Sequence, residues 1–408
     1  RYYVELHKVL DTKDITINVG DAWNKFDNLT WRKVIGGSRD ITDAELDVTN
    51  NVDKTRPGTY WVKYSYKVDT DKYVTKTAKV IVKDNSSGNN TGGNRNNRGN
   101  QSKRYVILAS GYKYTDVLTA TVLGNEKKCP ILLTSLDEVS DNTMKEIKRL
   151  GVDEVIISGG PASVSEKVVS QLKKAGYNVR RIAGKDRYET AEKIGDEVRL
   201  TSNNKNEVIL VDGTNFPDVI TLSTLANQKR VPILLTQPKA LNSVTNRLLG
   251  AWRIDKVTIG GEKTSVSKNV EDTVKAKTKA VDRIGGATRY ETAYKVADQV
   301  RRLTNNEKDL ILVDGTKFPD GITISSLAAK FKAPILLTKP DKLHPVTEAA
   351  VSQWGIENLL IGGGYNSVSK NIEDTIRVKN KERVAGSDRY NTAVEISKRY
   401  TDSRQLAR

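Results

Sequence analysis

Hydrophobic and polar positions alternate with a period of two along the first part of the chain. Three segments carry this pattern: DITINVG (14–20), TYWVKYSYKV (59–68) and VTKTAKVIVKD (74–84). A period of two is typical of strands that are buried on one face. We therefore predict an N-terminal all-β sandwich over residues 1–84. Residues 85–104 have almost no apolar side chains to bury, so we predict a flexible linker there.

The rest of the chain alternates short apolar strands with amphipathic helices. In its first part the strands YVILA, PILLT, EVIIS and NVRRI are separated by helical segments. Within the segment 164–175, Val164, Val168 and Leu172 recur every four residues and form one apolar face. Continuous apolar strands that alternate with helices indicate an α/β fold with a short, mostly parallel sheet flanked by helices.

Four motifs of this part recur three times, always in the same order. CPILLT (129–134) returns as VPILLT (231–236) and APILLT (333–338). The other three motifs are ILASGYKYTD, ILVDGTNFPD and ILVDGTKFPD; ISGGPASVS, TIGGEKTSVS and LIGGGYNSVS; and GKDRYETA, GATRYETA and GSDRYNTA. This duplication predicts three tandem units, which we place at 105–202, 203–304 and 305–408.

Charge and composition narrow the classes of function. The formal net charge is +17, which suits an anionic partner such as nucleic acid, lipid headgroups or an acidic polysaccharide, or serves solubility alone. No run of about 18 apolar residues occurs, so we predict no membrane span. The sequence starts without a signal-peptide layout. Either the protein is cytosolic, or the numbering begins after a signal or inside a longer chain.

Residues that could support catalysis or metal binding are few. Cys129 is the single cysteine and lies beside an apolar strand, where we expect a buried, inert thiol. His7 and His344 have no counterparts in the other units. Carboxylate pairs six residues apart occur twice, but the first unit has Ser110 in place of the first carboxylate. The pairs are Asp212 with Asp218 and Asp314 with Asp320, and we attribute the second member of each to helix capping. We therefore expect no enzyme activity, no cofactor and no metal.

An arginine recurs in the RYxTA motif, whose flanking residues have capping-box spacing. Asp186 with Glu189 indicates a helix start, and capping does not explain the arginine. We favour an ion pair with the aspartate of the FPD motif, and direct contact with a polymer is the alternative. The arginines are Arg187, Arg289 and Arg389, and the aspartates are Asp116, Asp218 and Asp320.

Glycine pairs follow a strand and precede a helix in each unit. Backbone N–H groups at such a turn can bind an anion, and Gly160, Gly261 and Gly363 are the candidates. No GxGxxG or GxxxxGK[ST] motif is present. We therefore favour a structural role, in which the glycines permit a tight turn between strand and helix.

Taken together, the DG/SG…FPD, PILLT, GG…SVS and RYxTA motifs resemble the cell wall binding repeat 2 family of clostridial and other Gram-positive surface proteins. The VD…PGTY turn and two closing strands of residues 1–84 resemble bacterial Ig-like domains. The first resemblance implies a secreted protein that three repeats, arranged as a pseudo-threefold trimer within one chain, hold non-covalently to an anionic wall polysaccharide. It also implies a cell-wall or S-layer location, with S-layer proteins as further partners. The first unit departs from the pattern, with YKYTD in place of FPD, which makes polymer contact through that loop less expected there.

Two other functions remain as alternatives. The chain is the anchor of a larger wall-remodelling enzyme or adhesin whose effector lies outside it, or it binds nucleic acid. For the latter it lacks a helix-turn-helix and aromatic stacking surfaces, with four phenylalanines in all, so we expect no nucleic-acid partner.

The order of the motifs predicts a closed ring independently of the resemblance. The RYxTA helix comes last in each unit, and the linker before the first unit cannot supply one. A linear row would leave one face of the first unit bare and the last helix unpaired, exposing apolar area at roughly 25 cal/mol per Å². We therefore expect the last helix to dock against the first unit.

Overall fold

The computed structural model describes residues 9–19, 21–34, 39–83, 103–117 and 119–407, with the Asp116 side chain outside this description. His7 and most of the predicted linker lie outside the described residues. The chain divides into two compact units, Arg1–Lys103 with Arg247–Arg253 and Arg104–Asn246 with Ile254–Arg408.

The described residues between 9 and 83 form strands and one short 3-10 helix, Asp43–Glu45. The strands are β1 (Leu10–Thr12), β2 (Ile15–Asn18), β3 (Leu29–Arg32), β4 (Leu46–Asn50), β5 (Gly58–Asp69) and β6 (Lys72–Lys83). Strands β1 and β3 form a two-stranded sheet, and the second sheet has the order β2-β6-β5-β4. Leu10 of the first sheet shares a core with Val62, Tyr64 and Val80 of the second. The predicted all-β fold is confirmed.

The second unit contains three four-stranded parallel sheets of identical topology. The first has the order β10-β9-β7-β8, and its strands are β7 (Tyr105–Ser110), β8 (Ile131–Thr134), β9 (Glu154–Ser158) and β10 (Asn178–Ile182). The second sheet comprises β11 (Glu207–Asp212), β12 (Ile233–Thr236), β13 (Lys256–Gly260) and β14 (Ala280–Ile284). The third comprises β15 (Asp309–Asp314), β16 (Ile335–Thr338), β17 (Asn358–Gly362) and β18 (Asn380–Val384). The predicted parallel α/β repeats are thus confirmed, whereas the exact boundaries drawn between units remain predictions.

Helices follow the strands in a matching pattern. Those of the first repeat are a 3-10 turn (Tyr114–Asp116), α1 (Ala120–Lys127), α2 (Asp141–Leu150), α3 (Glu166–Lys174) and α4 (Arg187–Thr201). The second repeat has α5 (Pro217–Lys229), α6 (Ser243–Ala251), α7 (Lys268–Lys275) and α8 (Arg289–Thr304). The third has α9 (Pro319–Phe331), α10 (Pro345–Gln353), α11 (Lys370–Thr375) and α12 (Arg389–Asp402). Helix α3 begins later than the periodicity predicts, because the Ser165 hydroxyl caps it and Val164 is buried in the preceding turn.

The three repeats close into a ring. Helices α1, α5 and α9 contact one another at the centre. There the rings of Tyr114, Phe216 and Phe318 form a triangle with centroid separations of 5.8, 5.9 and 6.1 Å. Helix α4 packs against β12, α8 against β16 and α12 against β8. The last helix therefore covers the first repeat, as the order of the motifs predicts.

Candidate functional site

The RYxTA helices begin where the sequence predicts, at capped N-termini. Asp186 accepts a hydrogen bond from the backbone N–H of Glu189 at 2.9 Å, and Asp388 accepts one from Asn391 at 2.8 Å. Thr288 caps α8 in the same way, at 3.2 Å. These caps fix the first turn of each helix beside the next repeat, and so they determine where the recurring arginine lies.

The favoured ion pair of these arginines with an FPD aspartate is wrong for Asp218 and Asp320, and the pairing with Asp116 lies outside the described side chains. Arg289 instead donates from Nη1 to the carbonyl of Gly315 at 2.6 Å, and no ion pair of these arginines occurs among the described residues. Arg187 donates to Gly213 O and Arg389 to Gly111 O in the same way. Each acceptor belongs to the DG or SG turn of the following repeat. The guanidinium therefore satisfies a main-chain carbonyl across a junction between repeats.

Close packing favours glycine at that turn, because a side chain there would push against a neighbouring ring. A Cβ at Gly111 would lie 2.8 Å from the Tyr390 ring, and one at Gly315 would lie 3.1 Å from the Tyr290 ring. The tyrosine is the one that follows the arginine in the RYxTA motif. The RY pair of one repeat and the glycine of the next are thus two halves of a single junction contact.

The residue before this glycine holds the turn in shape. Asp314 Oδ1 accepts hydrogen bonds from the N–H and hydroxyl of Thr316, at 2.7 and 2.6 Å, and Asp212 does the same with Thr214. In the first repeat, Ser110 Oγ accepts from the N–H groups of Tyr112 and Lys113 at 3.1 and 3.0 Å. The serine thus preserves the turn, although the carboxylate pair is not preserved.

The aspartate of the FPD motif connects two loops and does not cap its own helix. Asp320 Oδ2 accepts a hydrogen bond from Ser367 Oγ at 3.0 Å. Burial raises the pKa of Asp218 to about 6, against the lowering effect of its hydrogen bond with Ser265 and with a further rise from neighbouring Asp212. Burial also raises the pKa of Asp320. The expectation of helix capping for this residue is wrong, because both carboxylates reach the GG…SVS loop.

The glycine pairs align differently from the sequence prediction. Gly159, Gly261 and Gly363 occupy equivalent positions, with φ of 112°, 98° and 96°. Gly160 lies one position later, and a Cβ there would meet nothing within 4 Å. The N–H of Gly261 donates to Ile284 O at 2.8 Å, and the other two equivalent glycines make the matching bond, so these N–H groups are engaged within the sheet. Only a residue tolerant of positive φ fits this turn.

Sequence reasoning missed a second recurring arginine. Arg283, on the last strand of its repeat, donates to Gly261 O, to Val266 O and to Glu271, all between 2.7 and 2.9 Å. Arg383 makes the same set of bonds, and Arg181 shares the bond to the glycine carbonyl and an ion pair. The signal was an arginine directly before the final Ile or Val in RRI, DRI and ERV. This arginine holds the GG…SVS loop in place.

These loops lie together at the carboxyl ends of the parallel strands, the edge at which α/β sheets bind ligands. Between the third and first repeats they enclose a groove of about 720 Å³. Its lining includes Tyr112, Lys317, Asp320, Tyr365 and Arg389. The groove combines three tyrosine rings, those of Tyr112, Tyr365 and Tyr390, with charged groups of both signs. We call it the closing-junction groove.

The remaining chemical candidates have structural explanations. His344 caps α10, accepting from Val346 N–H at 3.2 Å, and stacks on Tyr290 at a centroid distance of 4.8 Å. Burial raises the pKa of the Cys129 thiol to about 12. Within the described ranges, no cluster of His, Cys, Asp or Glu could hold a metal ion. No described helix is long and apolar enough to cross a membrane.

Comparison with known proteins identifies the family. The model of the cell wall binding domain 2 (CWB2) family matches residues 70–169, 181–271 and 283–373. The model of the bacterial Ig-like domain (group 3) matches residues 10–82. The chain belongs to the cell wall binding domain 2 family, and it carries three copies of that domain preceded by an Ig-like domain.

Curated relatives and solved structures agree with this assignment. The chain is 28% identical to the N-acetylmuramoyl-L-alanine amidase LytC of Bacillus subtilis over 272 residues, which are 67% of this chain and 53% of that protein. It is 30% identical to the amidase enhancer of the same organism, over 66% of this chain and 36% of that protein. The chain thus spans about half or less of the length of these relatives.

Two solved structures share the fold. Cwp6 from Clostridium difficile aligns with a TM-score of 0.58 and 21% identity, over 84% of this chain and 58% of that one. Cwp8 from Clostridium difficile aligns with a TM-score of 0.55 and 19% identity, over 95% and 69% of the two chains.

Proposed function

We propose that this chain is a non-catalytic module that anchors a secreted surface protein to the cell wall by binding an anionic secondary wall polysaccharide. The observation that carries the proposal is the threefold repetition of one loop cluster at the strand ends, in a chain built of three cell wall binding domains. Weak contacts at several junctions to one polymer add by avidity, because the second contact is intramolecular. The net charge of +17 supports an anionic polymer.

The recurring residues have distinct roles in this proposal. Arg187, Arg289 and Arg389 hold the DG and SG turns across the junctions and so position the polymer-binding loops. Asp218 and Asp320 connect the FPD turn to the GG…SVS loop. The strand-to-helix turns that contain Gly160, Gly261 and Gly363 form the remaining wall of each site, and the polymer lies along these loops.

A longer protein is the natural context for such an anchor. Its relatives include an amidase and an amidase enhancer, of which the chain covers 53% and 36%. We propose that any wall-remodelling or adhesive effector lies outside this chain. The Ig-like domain is displayed at the wall or within the S-layer, with S-layer proteins as neighbours.

Cosedimentation with purified Clostridium difficile walls tests the anchoring function. We expect the full 408-residue chain to pellet with intact walls and to stay in solution after the secondary polymer has been stripped with acid. Undiminished pelleting with stripped walls would show that peptidoglycan itself is bound.

Ionic strength and a competitor polymer sharpen this test. Between low and high salt the bound fraction should fall, because exposed charges are screened within about 10 Å at 0.1 M. Duplex DNA is the matched competitor. Binding to DNA without binding to walls would favour the nucleic-acid alternative.

A further inference from the structure

Exposed aromatic side chains are concentrated at the closing-junction groove. Tyr112 and Tyr365 are the two most exposed large apolar side chains among the described residues, at 66% and 56% of their surface. They come from different repeats, yet both line this groove. A single exposed tyrosine needs no explanation, whereas two that flank one groove indicate a binding surface.

Each ring rests on an arginine that is itself fixed. The guanidinium carbon of Arg389 lies 4.7 Å from the Tyr112 centroid, and that of Arg383 lies 4.5 Å from the Tyr365 centroid. Arg389 is anchored on Gly111 O, and Arg383 on the loop carbonyls and Glu373. The two rings are therefore held in place before a ligand arrives. This lowers the loss of side-chain conformational entropy on binding.

The charged groups of the groove indicate what kind of ligand fits. Lys317 makes no ion pair with any described residue, so its positive charge is available to an anion. The carboxylates of Asp320 and Asp388 already accept hydrogen bonds from Ser367 and Asn391, and they can accept further ones from hydroxyl groups. A sugar ring offers an apolar C–H face to the electron-rich face of a tyrosine and hydroxyl groups at its edge. Two carboxylates would repel the continuous phosphate chain of a nucleic acid.

We propose that the closing-junction groove is the principal saccharide subsite of the ring, where Tyr112 and Tyr365 stack on sugar rings and Lys317 pairs with an anionic substituent. The other two junctions lack the first ring, having Thr214 and Thr316 in its place. Pro161 and Lys263 replace the second ring. This inference rests on the proposed function and adds to it that the three junctions are unequal.

The test compares binding isotherms of full-length variants on intact Clostridium difficile walls. We expect Tyr112→Ala with Tyr365→Ala to bind about tenfold more weakly, since each stacked ring contributes on the order of a threefold to tenfold gain. Tyr112→Phe with Tyr365→Phe keeps both rings and should bind like the wild type. Leu303→Ala is the matched control, because it removes an exposed apolar side chain elsewhere on the ring.

The outcomes separate this inference from the proposed function. If the wild type does not pellet with walls, the anchoring function itself fails. If the wild type pellets and the double alanine variant binds equally well, the aromatic subsite is wrong. If the double phenylalanine variant lost as much wall binding as the double alanine variant, the tyrosine hydroxyl groups and not the stacked rings would be responsible for binding. Loss of single-stranded DNA binding without loss of wall binding would assign the groove to nucleic acid.

A second variant guards against misfolding of the double alanine protein. Lys317→Glu reverses the charge of a side chain that makes no ion pair within the described part of the chain, so we expect nearly normal melting and at least tenfold weaker wall binding at low salt. Unchanged wall binding by Lys317→Glu would show that Lys317 does not pair with an anionic substituent of the saccharide. The melting temperature of each variant is measured beside its isotherm.

Discussion

The junction between the third and first repeats shares its framework with the junction between the second and third but differs at its surface. Arg389 donates to Gly111 O in one, and Arg289 donates to Gly315 O in the other. After the glycine, the first has Tyr112 and the second has Thr316. The two junctions thus keep the same hydrogen bond to a glycine carbonyl but carry different side chains after that glycine.

A local exchange accounts for the difference. The Thr316 hydroxyl donates to Asp314, so that side chain is engaged by its own turn. With Ser110 in place of the aspartate, the turn is held by main-chain donors alone. The side chain of Tyr112 therefore takes no part in holding the turn, and it stacks on Arg389 instead. The departure of the first repeat from the family motif creates an aromatic surface without loss of the turn.

The largest expected effect comes from removing the closing junction altogether. Truncation after Gly386 deletes α12, which covers β8 and buries Ala393, Val394 and Ile396. We expect loss of several kcal/mol of stability. In hydrogen exchange, amide protection should be lost over 105–135. The internal control is β12, which α4 still covers. Retained protection over 105–135 would mean that the first repeat is stable without the ring.

The second prediction separates the two junctions by their arginines. Arg289→Ala and Arg389→Ala each remove a hydrogen bond from a charged guanidinium to a partly buried glycine carbonyl. Each substitution should lower the free energy of unfolding by about 1–3 kcal/mol. Wall binding should fall further in Arg389→Ala, because Tyr112 loses its support. Arg302→Ala is the exposed control. Equal binding by both variants would contradict the inequality of the junctions.

The third prediction concerns the glycine of the closing junction. Gly111→Ala places a methyl group 2.8 Å from the Tyr390 ring and should cost about 1–3 kcal/mol in thermal unfolding. Gly160→Ala, in the same repeat, meets nothing within 4 Å and should leave stability nearly unchanged. A tolerated Gly111→Ala would show that the junction is looser than the packing indicates.

The smallest effect is expected from the buried FPD aspartate. Its pKa rises from 3.8 to about 6 on folding, so the folded state holds the proton more tightly than the unfolded chain. Stability is therefore greatest below pH 4 as far as this group is concerned, and it falls as the pH rises to about 6. Asp218→Asn should abolish that fall and raise stability at pH 7 by roughly 1–2 kcal/mol.

Chemical unfolding of Asp218→Asn at pH 4, 5, 6 and 7 measures this directly. The exposed Asp272→Asn is the control, since its carboxylate is paired only at the surface. The same experiment with Asp320→Asn extends the comparison to the third repeat, where burial also raises the aspartate pKa. A lower stability of Asp218→Asn at pH 7 would contradict the buried, desolvated carboxylate.

Sequence patterns alone predicted the repeated α/β units, the all-β N-terminal region, the caps of the RYxTA helices and the closure of the ring. These follow from local periodicity, from capping chemistry and from the order of the motifs, all of which are read over short stretches of chain. The order of the motifs was enough to predict a closed ring. Each unit needs an RYxTA helix to cover it, the first unit has none before it, and the last helix has no unit after it.

The groups that meet at the junctions could be identified only in the folded chain. Arg389 and Gly111 are far apart in the sequence, and charge alone favoured an aspartate over a carbonyl as the arginine's partner. Gly159 is equivalent to Gly261 because both have positive φ. The sequence does not show this, because Gly160 follows Gly159 and either glycine could be the one that aligns. The aromatic groove arises because ring closure brings the first and third repeats together. Tyr112 and Tyr365 are too far apart in the sequence for any local pattern to show that they lie beside the same groove.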